Sequence, residues 1–138
     1  MTNLSIYVHI PFCESKCIYC AFSTFVPNQQ QVENYFKTLW SEISQRAKTQ
    51  KDKIVRTIFF GGGTPSFVES KFITKTLEMI RQNFNVSKNA EISIECNPNS
   101  ATFDKLKDYK GAGFNRISFG VQTFDDKALT MLHRSHNG

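Results

Sequence analysis

Cys13, Cys17 and Cys20 are spaced C-x3-C-x2-C and follow directly on the short apolar run Ile6-Tyr7-Val8. Thiolates are soft donors that suit iron–sulfur clusters or zinc. Three of them on one tight loop can hold three corners of a metal ion or of an iron–sulfur cube. The fourth corner is then open, and an open corner is where a small molecule can bind and react. A structural zinc site is the competing reading, with His9 or Cys96 as fourth ligand. Such sites more often pair two C-x2-C knuckles, and the chain has no second knuckle.

A second feature is Gly61-Gly62-Gly63-Thr64-Pro65-Ser66. Without Cβ atoms a backbone can approach a ligand closely and take conformations other residues avoid. A phosphate-binding loop is excluded because no Gly-Lys-Ser/Thr follows; a plain strand-to-helix turn remains the alternative. Glu95, beside Asn97-Pro98, offers a carboxylate that can accept hydrogen bonds from hydroxyls or an ammonium group, although a strand-end glutamate is more often only solvated. Cys96 reads as a small buried residue. His9 reads as a loop organiser, and neither His133 nor His136 makes a convincing heme ligand.

The elements that must position these groups alternate. Leu4 to Ile10 reads as a strand stopped by Pro11. A helix starts near Gln29, with Val32, Tyr35, Phe36, Leu39, Trp40 and Ile43 on one face. Ile54 to Phe60 is a second strand, and a helix spans Glu69 to Asn83 with Phe72, Ile73, Leu77 and Ile80 inward. Glu91 to Cys96 is a third strand. Ser100 or Thr102 caps a third helix carrying Phe103, Leu106 and Tyr109, closed by Gly111-Ala112-Gly113. Asn115 to Gln122 is a fourth strand, and a last helix begins near Asp125 with Ala128, Leu129 and Leu132. The order βαβαβαβα with short connections predicts an α/β fold, parallel strands covered by helices. The special residues then fall at the C-terminal ends of strands one to four, the rim where such folds bind ligands. Four units cannot close a barrel, so strands one and four are expected as open edges. The expectation is the N-terminal part of a longer protein, or a truncated reading frame.

Composition narrows the classes. The chain has 138 residues, 40% hydrophobic and 21% charged, which permits a packed core. A net charge of +5 comes from dispersed lysines, Lys105 among them, and reads as solvated helix surface rather than a nucleic-acid face. No apolar run reaches the length of a membrane helix. With no secretory signal visible, four cysteines point to the reducing cytosol and to metal binding rather than disulfides.

The cysteine motif after a first strand resembles that of the radical S-adenosylmethionine (radical SAM) superfamily. Tyr7-Val8-His9-Ile10-Pro11-Phe12-Cys13, the glycine run, and Gly113 to Phe124 resemble the oxygen-independent coproporphyrinogen III oxidase-like family, which includes the HemW-type heme chaperones. The resemblance implies the first four units of a partial TIM-type (β/α)6 barrel, the N-terminal part of a radical SAM core domain over 1–138. It implies a [4Fe–4S] cluster held by Cys13, Cys17 and Cys20, with SAM on the fourth iron, cleaved to a radical that abstracts hydrogen. Tyr7, Tyr19, Gly62, Gly63, Thr64, Glu95, Gln122 and Arg134 match positions that contact SAM in the family. Oxidases carry a further cysteine two residues after the third ligand. Phe22 stands there, and Cys20-Ala21-Phe22 resembles the HemW pattern. A HemW-type chaperone binding heme is therefore expected, with SAM, heme or porphyrin, a reducing electron donor and heme-accepting proteins as partners. The oxidase is the alternative, and a non-catalytic iron–sulfur binding module is the alternative of another class.

Overall fold

The computed structural model describes residues 2–138. Four strands, β1 (Thr2–Ile10), β2 (Lys53–Gly62), β3 (Val86–Cys96) and β4 (Arg116–Phe119), form one sheet in that spatial order. Every pairing is parallel. The connections run through α1 (Gln29–Ala47), α2 (Ser70–Asn83) and α3 (Phe103–Ala112); α4 (Asp126–Met131) follows β4, and a 3-10 turn, Pro65–Phe67, precedes α2.

The register explains the core. Val8 of β1 pairs with Phe60 of β2, and Phe60 with Ile94 of β3; Ile58 pairs with Ile92. All five side chains are buried and meet Phe36, Ile43, Ile73, Leu77, Ile80 and Tyr109 from the helices in one cluster. Each such burial stabilises the fold by roughly 1.5–3 kcal/mol. Phe36 stacks on Phe72 with centroids 4.7 Å apart, and Trp40 Nε1 donates to Thr76 Oγ1 at 2.9 Å. These contacts seat α1 against α2. Most of the alternate residues stay partly or wholly exposed, with Ser93 of β3 buried among them. Tyr7 stacks on Phe59 at 6.0 Å, and Arg116 pairs with Glu91 at 3.3 Å.

Helix ends follow from local chemistry. Asn28 and Gln31 form a reciprocal capping box that starts α1. Thr102, not Ser100, caps α3, and Gly113 closes it at φ 98° in the left-handed region. Asp125 accepts from the Ala128 N–H at the start of α4.

Four expectations need correction. β4 stops at Phe119, so Gln122 lies in the following loop, at φ 68°. β3 begins at Val86, five residues before the β-rich run. Phe103, in the first turn of α3, is 80% exposed instead of packing inward. Lys105 is half-buried rather than solvated, and donates to two backbone carbonyls described below. The edges are β1 and β4, as alternation predicts, and every residue of β4 is exposed.

Candidate functional site: a sulfur-lined cavity

The loop carrying the cysteines is closed at its base. Phe12 bridges Phe25: the Cys13 N–H donates to the Phe25 carbonyl (3.1 Å) and the Phe25 N–H to that of Pro11 (2.9 Å). Phe12 is fully buried and packs edge-on against Phe25 and Tyr35, while the Tyr35 hydroxyl donates to the His9 carbonyl. Within the loop, Cys20 N–H donates to the Cys17 carbonyl at 3.1 Å, a turn that brings the second and third cysteines round to one side. All three are free thiols, neither buried nor fully exposed.

The glycine run lies against this loop. The Gly63 N–H donates to the Ile10 carbonyl at 2.7 Å and the Thr64 N–H to that of Phe12 at 2.8 Å. A Cβ on Gly63 would come within 2.7 Å of the Phe12 oxygen and 3.0 Å of Cys13 Sγ. Gly62 has φ 110°, which an L side chain rarely adopts. The glycines therefore let β2 reach the cysteine loop; the contact they permit is with protein first, the His9 ring at Gly62 and the Phe12 carbonyl at Gly63.

Between them opens a cavity of about 220 Å³. Its wall includes Cys13, Cys17, Cys20, Tyr19, Gly62, Gly63, Thr64, Glu95, Gln122 and Arg134. Every predicted site residue is thus present except Tyr7, which lies on the open sheet face. Tyr7 is 58% exposed there, within electrostatic reach of Glu95.

Arg134 joins what the chain keeps far apart. Its Nη1 lies 3.6 Å from Cys17 Sγ and 3.4 Å from the Tyr19 hydroxyl; its Nη2 donates to Asn97 Oδ1 at 3.0 Å and to the Gly120 carbonyl. Its Nε is buried and has no partner among the described residues. Sequence reasoning missed the role of Asn97, which reads there only as a strand terminator. Its N–H donates to Ser66 Oγ (3.0 Å) and its Nδ2 to Thr64 Oγ1 (3.3 Å), so one amide ties β3 to the glycine turn and to Arg134. An Asn directly before Pro at a strand end was the available signal. Beside this, Asn99 Nδ2 donates to Glu14 and to Ser135 Oγ, both at 2.6 Å, which fastens the cysteine loop to the end of the chain.

Burial raises the Glu95 carboxyl above its ordinary range, against a Gly62 N–H bond that lowers it. Burial likewise pushes the Cys96 thiol up to about 11, so Cys96 stays a thiol. His9 Nε2–H donates to the Ser23 carbonyl at 3.2 Å, which leaves Nδ1 to accept from the Tyr7 hydroxyl at 3.0 Å. Both ring nitrogens are used within the loop. His9 is thus engaged by two partners, and Cys96 is buried. Three thiols and the glycine turn line one cavity, a set of soft donors that fits a cluster with one open corner.

Compared with known proteins, the chain matches the family model of the radical SAM superfamily over residues 7–138. The chain belongs to that superfamily, and membership implies a [4Fe–4S] cluster and SAM. It is 42% identical over 134 residues to the heme chaperone HemW of Bacillus subtilis, covering 96% of this chain and 35% of that protein. It is 36% identical over 135 residues to the oxygen-independent coproporphyrinogen III oxidase of Escherichia coli, covering 97% and 30%. Among solved structures it superposes on coproporphyrinogen III oxidase (HemN) from Escherichia coli with TM-score 0.91 and 35% identity, covering 99% of this chain and 31% of that one. The chain spans about a third of the length of these relatives. Among the described residues no helix is long and apolar enough to cross a membrane.

Proposed function

We propose that this chain is the cluster- and SAM-binding part of a HemW-like heme chaperone. The observation that carries the proposal is that Cys13, Cys17 and Cys20 line one cavity together with Gly62, Gly63, Thr64, Glu95, Gln122 and Arg134. In this reading the three sulfurs hold three irons and leave the fourth for SAM. The bound cluster would supply one electron to the sulfonium group. The chain's residues then bind and orient. Gly62 and Gly63 present backbone to the methionine end, with Thr64 beside them. Glu95 accepts hydrogen bonds from ribose hydroxyls or from an ammonium group. The Arg134 guanidinium, already at the cavity wall, suits a carboxylate, and reaching one means giving up Cys17 and Tyr19. Tyr19 closes the same side. Tyr7 contacts only a ligand that extends over the open sheet face.

Phe22 favours the chaperone over the oxidase. It lines the cavity and is 62% exposed, so an aromatic ring stands where the oxidase pattern places a further thiol. A cytoplasmic setting, a reducing electron donor and heme-accepting partners complete the proposal. Anaerobic iron and sulfide analysis with electron paramagnetic resonance tests the site. Four irons per chain with a SAM-dependent change in the signal are expected, whereas zinc, or a cluster indifferent to SAM, refutes it. Stable heme binding without conversion of coproporphyrinogen III is expected of the chaperone; conversion to protoporphyrinogen IX overturns that half.

A further inference from the structure

Lys105 of α3 is half-buried, and its amine is turned onto the backbone that follows the glycine run. Its Nζ donates to the Ser66 carbonyl at 2.6 Å and points a second hydrogen at that of Phe67, 3.3 Å away. None of the ion pairs among the described residues includes it. Burial disfavours its charge, so the two carbonyls are what hold it there. Both belong to the 3-10 turn Pro65–Phe67, whose carbonyl end carries the partial negative charge that a cation complements.

That turn fixes Thr64. The Phe67 N–H donates to the Thr64 carbonyl at 2.9 Å, and the Thr64 N–H to Phe12 at 2.8 Å. The Thr64 hydroxyl accepts from Asn97 Nδ2 at 3.3 Å and donates to Cys13 Sγ at 3.5 Å. Ser66 supports the same arrangement: its hydroxyl accepts from the Asn97 N–H and pairs with Ser100 at 2.6 Å. The Ser66–Phe67 peptide thus accepts from Lys105 and donates to the Thr64 carbonyl, Asn97 donates both to Ser66 and to the Thr64 hydroxyl, and that hydroxyl donates to the sulfur, so α3 is joined to Cys13 through the backbone of one turn.

We infer that Lys105 is a positioning residue: by holding the Pro65–Phe67 turn through two carbonyl oxygens, it keeps the Thr64 hydroxyl aimed at Cys13 Sγ and so raises the electron affinity of iron bound by that sulfur. Hydrogen bonds to cluster sulfurs are among the levers that set a cluster's potential, because a donor stabilises the more negative, reduced form. The inference rests on the cluster site proposed above and adds a residue outside the cavity wall.

The test is redox titration of the reconstituted, intact protein with and without Lys105→Met, Lys105→Arg and Thr64→Val. Lys105→Met and Thr64→Val each shift the potential to more negative values. The double variant shifts no further than Thr64→Val alone, and Lys105→Arg, which can still donate to both carbonyls, stays near the parent. An unchanged potential in Lys105→Met, or shifts that add, overturns the inference even where stability falls. Amide hydrogen exchange of the metal-free protein, read by mass spectrometry, separates this from failure of the cluster reading. Lys105→Met speeds exchange in the peptide covering Thr64 to Phe67 and leaves the peptides of α1 unchanged. Unchanged exchange over Thr64 to Phe67, or faster exchange everywhere, the result of general loosening, counts against it.

Discussion

Gly63→Ala is the sharpest perturbation of the site. The new methyl group would stand 2.7 Å from the Phe12 carbonyl oxygen, 3.0 Å from Cys13 Sγ and 3.0 Å from the Ile10 carbonyl oxygen. Two of the three are backbone, so no side-chain rotation relieves the clash. β2 and the cysteine loop must part, which strains or breaks the Gly63–Ile10 and Thr64–Phe12 hydrogen bonds of 2.7 and 2.8 Å. Overpacking of this kind costs about 1–3 kcal/mol, and each weakened bond adds about 0.5–1.5 kcal/mol, so a loss of about 3 kcal/mol is expected. In urea that moves the unfolding midpoint down by about 1–2 M for a chain of this size. Gly111→Ala is the matched control. Nothing lies within 4 Å of its Cβ position, and it sits in α3, where alanine gains about 0.5–1 kcal/mol over glycine. Urea melts of the two variants, with iron content per chain after anaerobic reconstitution, decide the matter. A Gly63→Ala protein that melts with the parent and loads the same iron would refute the claim that this glycine exists to let β2 touch the cysteine loop.

Tyr109 is fully buried, and its hydroxyl has no hydrogen-bond partner among the described residues. Tyr109→Phe should therefore be neutral or stabilising, by up to about 1 kcal/mol, in the same urea melts; a clear destabilisation would mean the hydroxyl has a partner. Glu95 bears on pH. Burial raises its folded-state value, so the folded chain holds that proton more tightly than the unfolded chain does. Its contribution to stability is full below the ordinary carboxylate range and is lost as pH rises through the raised value. Glu95→Gln cannot ionise, so its stability relative to the parent should improve as pH rises from the ordinary carboxylate range, about 4, through the raised value. An offset that does not vary with pH would refute the assignment.

The fold was legible wherever apolar spacing is strong. The faces of α1 and α2, the four strands and their rim follow from periodicity and from the Gly and Pro stops. β4 was read too long because Val121 and Gln122 continue an apolar–polar alternation; beyond Phe119, however, the chain turns through Gln122 at positive φ. Phe103 misled because hydrophobicity alone does not say which residues of a helix's first turn meet the core. Within the site, the cysteines and glycines announced themselves by type and spacing, and the remaining wall residues came from the resemblance of whole blocks. Asn97 and Lys105 stayed hidden for one physical reason. Their importance lies in carbonyls and hydroxyls contributed by other elements, and common surface residue types give no sign of which neighbours they will meet.

The contacts that Arg134 and Ser135 make with Cys17, Tyr19 and Glu14 span 115 to 121 positions of the chain. Bonds of that separation form late in folding, since much of the polypeptide must be ordered before they can. Until then only short-range bonds, Cys20 to Cys17 and Phe12 across to Phe25, shape the cysteine loop. The clasp arrives from the other side of the whole sheet, so its closing reports that the strands between have already found one another.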